Sequence, residues 1–175
     1  MRLTLIAAQS LDGYITRHDT PGSGFASEAD RAFFRTALPS FDACIMGAET
    51  YRTARDLIRK AIMPDRLRIV VTRNPQAFAG EAIPGKLEFF NLSAPEIVSL
   101  LQQRQCRTGA ILGGAQIHSL FLEAKLVDEL WLTIEPVLFG SGTPLLARRT
   151  DIQLELASQT NLSPQTLLLK YRVKK

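Results

Sequence analysis

Apolar runs of strand length alternate with longer stretches of helical period along this chain, and that alternation commits it to an α/β architecture. Leu3 to Ala8 is a near-continuous apolar run, the pattern of a strand covered on both faces. Ser27 is placed to cap a helix on which Ala29, Phe33, Phe34, Ala37 and Leu38 share one side. Ala43 to Met46 is a short buried strand ending at Gly47, and a helix is predicted from about Glu49 to Ile58. Strands follow at Arg68 to Thr72, closed by the turn signal Arg73-Asn74-Pro75, and at Leu87 to Phe90. Ser93 and Glu96 form a capping-box pair for a helix running to about Arg104. A strand at Ala110 to Leu112 stops at Gly113-Gly114, a helix opens near Ala115, and Leu130 to Val137 is β-rich. Two final strands, about Ile152 to Gln159 and Gln165 to Val173, read as a hairpin-like pair. The expected fold is a three-layer α/β/α domain with a mostly parallel sheet and antiparallel C-terminal strands.

At 175 residues, with 46% apolar and 22% charged residues, the chain suits one domain spanning residues 1–175 and no more. No apolar run approaches the roughly 20 residues that cross a bilayer, and the short stretch after Arg2 reads as a strand and not a leader. A cytoplasmic protein without membrane partners is expected. Two cysteines, Cys44 and Cys106, and two histidines, His18 and His118, show no zinc spacing or disulfide framework. The net charge of +4 is scattered, with no basic and aromatic stripe for nucleic acid.

Chemistry concentrates at strand ends. Gly113-Gly114 follows a strand and opens a helix, where free N–H groups and the positive end of the helix dipole favour a phosphate. A tight packing turn would explain the same pair. Gly47 ends another strand before a helix carrying Thr50, and a third strand ends in Thr72-Arg73. Taken together, these ends offer amides, hydroxyls and a guanidinium to a nucleotide lying across the carboxyl edge of the sheet.

The segment Ile6 to Ile15, containing Ser10-Leu11-Asp12-Gly13, resembles the opening of the reductase domain of the riboflavin-biosynthesis deaminase/reductase. Ile45-Met46-Gly47-Ala48-Glu49-Thr50-Tyr51 resembles an element shared with dihydrofolate reductases, and Leu112 to Ile117 resembles the family's double-glycine loop. Leu126 to Leu132 and Pro136 to Leu145 are similar to the signature of the riboflavin branch. The resemblance covers about residues 2 to 146 and implies a dihydrofolate-reductase-like fold.

It also implies NADPH as cofactor, running across Gly47 and Thr50, with Thr72 and Arg73 near the 2′-phosphate. Leu112, Gly113, Gly114, Ala115, Gln116 and Ile117 would surround the pyrophosphate, with a cis Gly113–Gly114 peptide. The nicotinamide would lie near Ala8 and Ile15, and residues 16–26 would form a mobile lid. Asp12, Asp30 and Phe34 are implied at a small heterocyclic substrate, and Asp30 with Thr133 in catalysis. The residues alone leave Asp30 two readings: a carboxylate that holds the polar edge of a heterocycle and assists protonation, or a first-turn residue complementing the helix dipole.

The chain departs from the riboflavin pattern by carrying Leu112 where a glutamate precedes the glycines and Leu38 where an arginine stands; it also lacks the deaminase domain. It departs from dihydrofolate reductases at Ala48 and at Gly24-Phe25 in the lid. The implied function is reduction of a ribosylaminopyrimidine phosphate. Dihydrofolate or pterin reduction is one alternative, and a nucleotide-binding paralogue without turnover is another. A homodimer is expected from the same resemblance.

Overall fold

The computed structural model describes residues 1–61 and 66–175. The chain runs β1 (Arg2–Ser10), α1 (Glu28–Ala37), β2 (Ala43–Gly47), α2 (Ala48–Lys60), β3 (Leu67–Val71), β4 (Leu87–Phe90), α3 (Ala94–Gln103), β5 (Thr108–Ile111), α4 (Ala115–Glu123), β6 (Glu129–Glu135), β7 (Leu154–Asn161) and β8 (Leu167–Val173). Short 3-10 turns at Leu38–Ser40 and Pro75–Glu81 connect these elements, each with a proline in its first positions.

The strands form one eight-stranded sheet in the order β4-β3-β2-β5-β1-β6-β8-β7. The first six run parallel. Strands β8 and β7 then pair antiparallel, with an irregularity between Leu156 and Ser158. This is the mostly parallel α/β sheet with an antiparallel end that the sequence pattern implied.

Side chains alternate between two cores, as the period of a strand requires. Leu3, Leu5, Ala43, Ile45, Leu67 and Ile69 face α3 and α4, where Ile97, Leu101, Ile117 and Phe121 close the packing. Ile6, Cys44, Met46 and Val70 face the other way, onto Tyr51 of α2 and Phe33 and Phe34 of α1. Each large apolar side chain so buried contributes on the order of 1.5–3 kcal/mol.

Element ends differ modestly from expectation. Strand β1 runs two residues beyond Ala8, because Ala7 to Ser10 find partners in Leu132 to Glu135 of β6. Thr72 and Leu112 lie just past β3 and β5, at the edge where a ligand would approach. The predicted caps hold: the Ser27 hydroxyl accepts from the Asp30 amide, and Ser93 with Glu96 forms the capping box.

Candidate active site

At the carboxyl edge of the sheet two helix N-termini converge. Helix α2 follows β2 directly and α4 follows β5 after Leu112-Gly113-Gly114, capped by Gly47 and Gly114 with no side chain on their first amides. The Gly47 amide donates to the Gly113 carbonyl at 2.7 Å, and the Leu112 amide donates to the Ile45 carbonyl at 2.8 Å, so the two strand ends are locked together. A Cβ on Gly47 would stand 3.1 Å from Ile117 Cγ1, and one on Gly114 would stand 3.5 Å from the Thr50 hydroxyl. The Gly113–Gly114 peptide is cis, as expected.

Gly113 has φ +100°, and a Cβ there would meet His118 Nε2 at 3.0 Å. Glycine alone suits both constraints. His118 is fully buried beneath this turn; burial holds its imidazole down to about 4, while Nδ1 stands 2.9 Å from the Leu145 carbonyl. A neutral imidazole under the loop leaves its amides as the dominant positive feature for an anion. Ala115 and Ile117 are buried supports and Gln116 is exposed. Arg73 is exposed just past β3, and the Thr72 hydroxyl accepts from the Asn74 amide.

The second half of the site lies where α1 crosses β1 and β6. The register sets Ala8 opposite Thr133 and Ser10 opposite Glu135. Asp30 is half-buried on the first turn of α1, close to Thr133 and Glu135 of β6. Burial raises its pKa above the ordinary aspartate value; Thr133 opposes this, the charge of Glu135 adds to it, and Arg31 weakly opposes. Phe34 packs one turn along, against the core on this face.

Glu135 was not foreseen. It is 2% exposed and accepts from the Ser27 amide at 2.8 Å, the Ser27 hydroxyl at 2.9 Å and the Thr166 hydroxyl at 3.3 Å. The signal available in the sequence was its period: Glu135 stands two residues after Thr133, so both face the same layer.

Asp12 and Ile15 are both tied to the loop that follows β6. The Asp12 carboxylate accepts from Ser10 Oγ and from the amides of Phe139 and Gly140, and these bonds, led by Ser10, hold it below the usual carboxylate range. It ties the end of β1 to the 137–147 loop. The Ile15 amide donates to the Thr143 carbonyl in the same seam. Residues 16–26 pack there too, with Phe25 edge-on to Phe139 and a cleft of about 150 Å³ lined by Arg17, Thr20, Gly22, Gly24 and Phe25. At its tip, a Cβ on Gly22 would press to 2.6 Å from Thr53 of α2. Among the described residues no cluster of three metal-ligating side chains occurs, and no helix is long and apolar enough to cross a membrane.

A sheet of this order, with glycine-capped helix starts at its carboxyl edge, defines a dihydrofolate-reductase-like fold, the fold of a group of reductases. The sequence profile of the RibD C-terminal domain matches residues 2–168, and the chain belongs to that family. It is 30% identical over 169 residues to the uncharacterized protein YwjB of Bacillus subtilis, covering 90% of this chain and 91% of that one. Among solved structures it resembles the Thermotoga maritima diaminohydroxyphosphoribosylaminopyrimidine deaminase/5-amino-6-(5-phosphoribosylamino)uracil reductase, with TM-score 0.80 and 18% identity. That match covers 99% of this chain and 56% of the other, which therefore has almost half its length beyond it. Enterococcus faecalis dihydrofolate reductase, solved with NADP(H), shares the fold at TM-score 0.68 and 18% identity, covering 99% of this chain and 97% of that one.

Proposed function

We propose that this protein is an NADPH-dependent reductase of a pyrimidine- or pterin-type substrate, related in activity to the uracil-derivative reductase of riboflavin biosynthesis. The observation that carries the reading is the joining of two helix N-termini through Gly47 and Gly113, beside a strand end bearing Arg73. Such a cradle fits a pyrophosphate, because its helix-start amides carry no capping side chain and are left to donate to an anion. When bound, the dinucleotide supplies the hydride. The chain's own residues do the rest: amides at Ala48 and Ala115 neutralise phosphate charge, and Arg73 reads the 2′-phosphate. Thr133 and Asp30 hold the polar edge of the heterocycle, and Asp30 keeps a proton within reach of the atom being reduced.

A second reading, reduction of a pterin ring, draws support from the adjacency of Asp30 and Thr133 and from Leu112 and Leu38, which offer no charge to a sugar phosphate. A cytoplasmic homodimer belongs to the same proposal. The edge pair β7–β8 presents Leu154, Leu156, Tyr171 and Val173 on one sheet face, with Leu156 51% exposed. Sedimentation of the intact chain at twice the monomer mass is the expected result.

Fluorescence titration with NADPH and NADH tests the central claim. Micromolar NADPH binding with much weaker NADH binding is expected, followed by turnover in a screen of ribosylaminopyrimidine phosphates and pterins. Binding without turnover would select the paralogue that keeps the nucleotide and not the chemistry. Binding of neither nucleotide would end the reductase reading.

A further inference from the structure

We propose that Glu135 is a positioning residue for Asp30, anchoring the first turn of α1 to β6 and adding a second negative charge to the site. The inference rests on the reading of Asp30 as the proton-holding group, and extends it to a residue that touches neither substrate nor cofactor.

The anchoring is geometric. Glu135 takes the amide and the hydroxyl of Ser27, and the same hydroxyl accepts from the Asp30 amide at 3.2 Å. A single oxygen of Ser27 therefore links the buried carboxylate of β6 to the backbone of Asp30. Thr166 completes the set, with its hydroxyl 3.2 Å from Ser27 Oγ and 3.3 Å from Glu135 Oε2. Each Glu135 oxygen is an acceptor in these contacts, the pattern that buried carboxylates need to persist in a core. Ser10 pairs with Glu135, and Glu135 reaches Thr166 just before β8, so this anchor lies two residues along β6 from Thr133, which pairs with Ala8 and Leu168. Asp30 is thereby held over Thr133 by a contact made one row away.

The electrostatic part follows from what faces Asp30. On its own helix, Arg31 favours the ionised form, while Glu28 is paired with Arg35. On β6, Thr133 favours the ionised carboxyl and Glu135 opposes its ionisation. Thr166, just before β8, is uncharged, and on β8 Lys170 lies a row beyond Thr133, its Nζ 3.8 Å from the centre of the Trp131 ring. From β1, Ala8 and Ser10 carry no charge. Glu135 is the negative group that works with burial to keep the proton on Asp30.

Carbon-13 NMR titration of carboxyl-labelled intact protein tests this without a known substrate, with Asp30→Asn assigning the Asp30 signal. The Asp30 midpoint is expected to fall in Glu135→Gln, and the alkaline limb of turnover should move to lower pH by the same amount. Turnover at pH 7.5 should drop about three- to tenfold. A merely structural role would lower activity equally at every pH and leave the midpoint in place; that outcome overturns the inference. Should Glu135→Gln fail to fold, the unmutated protein decides. A proton residing on Glu135 while Asp30 is ionised would overturn the inference, and the reverse supports it. Failure of the Asp30 reading itself is separable: Asp30→Asn would then turn over normally, whatever Glu135→Gln does.

Discussion

The two halves of the site are built from different materials. The half proposed for the cofactor is backbone: two helix starts, two strand ends and the glycines that let them meet, all contributed by contiguous β-to-α junctions. The half proposed for the substrate is side chain: Ser27, Asp30, Thr133, Glu135 and Thr166, brought together across up to 139 positions of sequence. A backbone cradle tolerates change in almost every side chain around it but not in its glycines. A side-chain cluster can be retuned one residue at a time.

The comparison breaks most visibly at Gly113. Gly113→Ala forces a side chain into positive φ and against His118 Nε2. The expected cost is about 2–4 kcal/mol, read as a fall in melting temperature together with loss of nucleotide binding. A variant that melts and binds normally would show that the loop is not held as tightly as its contacts indicate. Next in size is Asp30→Asn, which should lower turnover on the order of 100-fold while nucleotide affinity stays within a factor of two or so. Equal damage to both would merge the halves that the structure separates.

Arg73→Ala comes third. One charge-assisted phosphate contact is worth ~1.5–3 kcal/mol, so NADPH affinity should fall about 10- to 100-fold with NADH affinity unmoved. Equal losses for the two nucleotides would remove Arg73 from the 2′-phosphate.

The same division explains what could be read from the sequence. Strand–glycine–helix junctions are local, so Gly47, Gly113-Gly114 and the caps at Ser27 and Ser93 were visible without a structure, as was the strand pattern that sets the sheet. Asp30 and Thr133 were reached through family resemblance, because nothing local ties a helix residue to a strand a hundred positions later. Glu135 passed unnoticed: an isolated glutamate at the end of an apolar strand looks like the first solvated residue. Only the closing of α1 over β6 reveals it as 2% exposed with three donors. Asp12 is the converse case. Its motif drew attention, yet its carboxylate binds the backbone of the 137–147 loop, a partner more than a hundred residues away.

The smallest effect is also the one that separates the two readings of Asp30. Its proton is held more tightly in the folded protein than in the unfolded chain, first because the carboxyl is half-buried and further because Glu135 is near. Stability gained from such a group is fully present below the ordinary aspartate value and is lost as pH rises through the raised folded value. Asp30→Asn cannot ionise, so its melting temperature should gain on the unmutated protein between pH 4 and pH 8. The gain should be a degree or two, given that Asp30 retains contact with solvent and screening weakens its burial cost. An aspartate present only to complement the dipole of α1 would behave oppositely, since its charge would stabilise the helix start. Asp30→Asn would then fall behind as pH rises. The sign of that slope, measured on the protein alone, decides whether the first turn of α1 is arranged for the helix or for the chemistry beneath it.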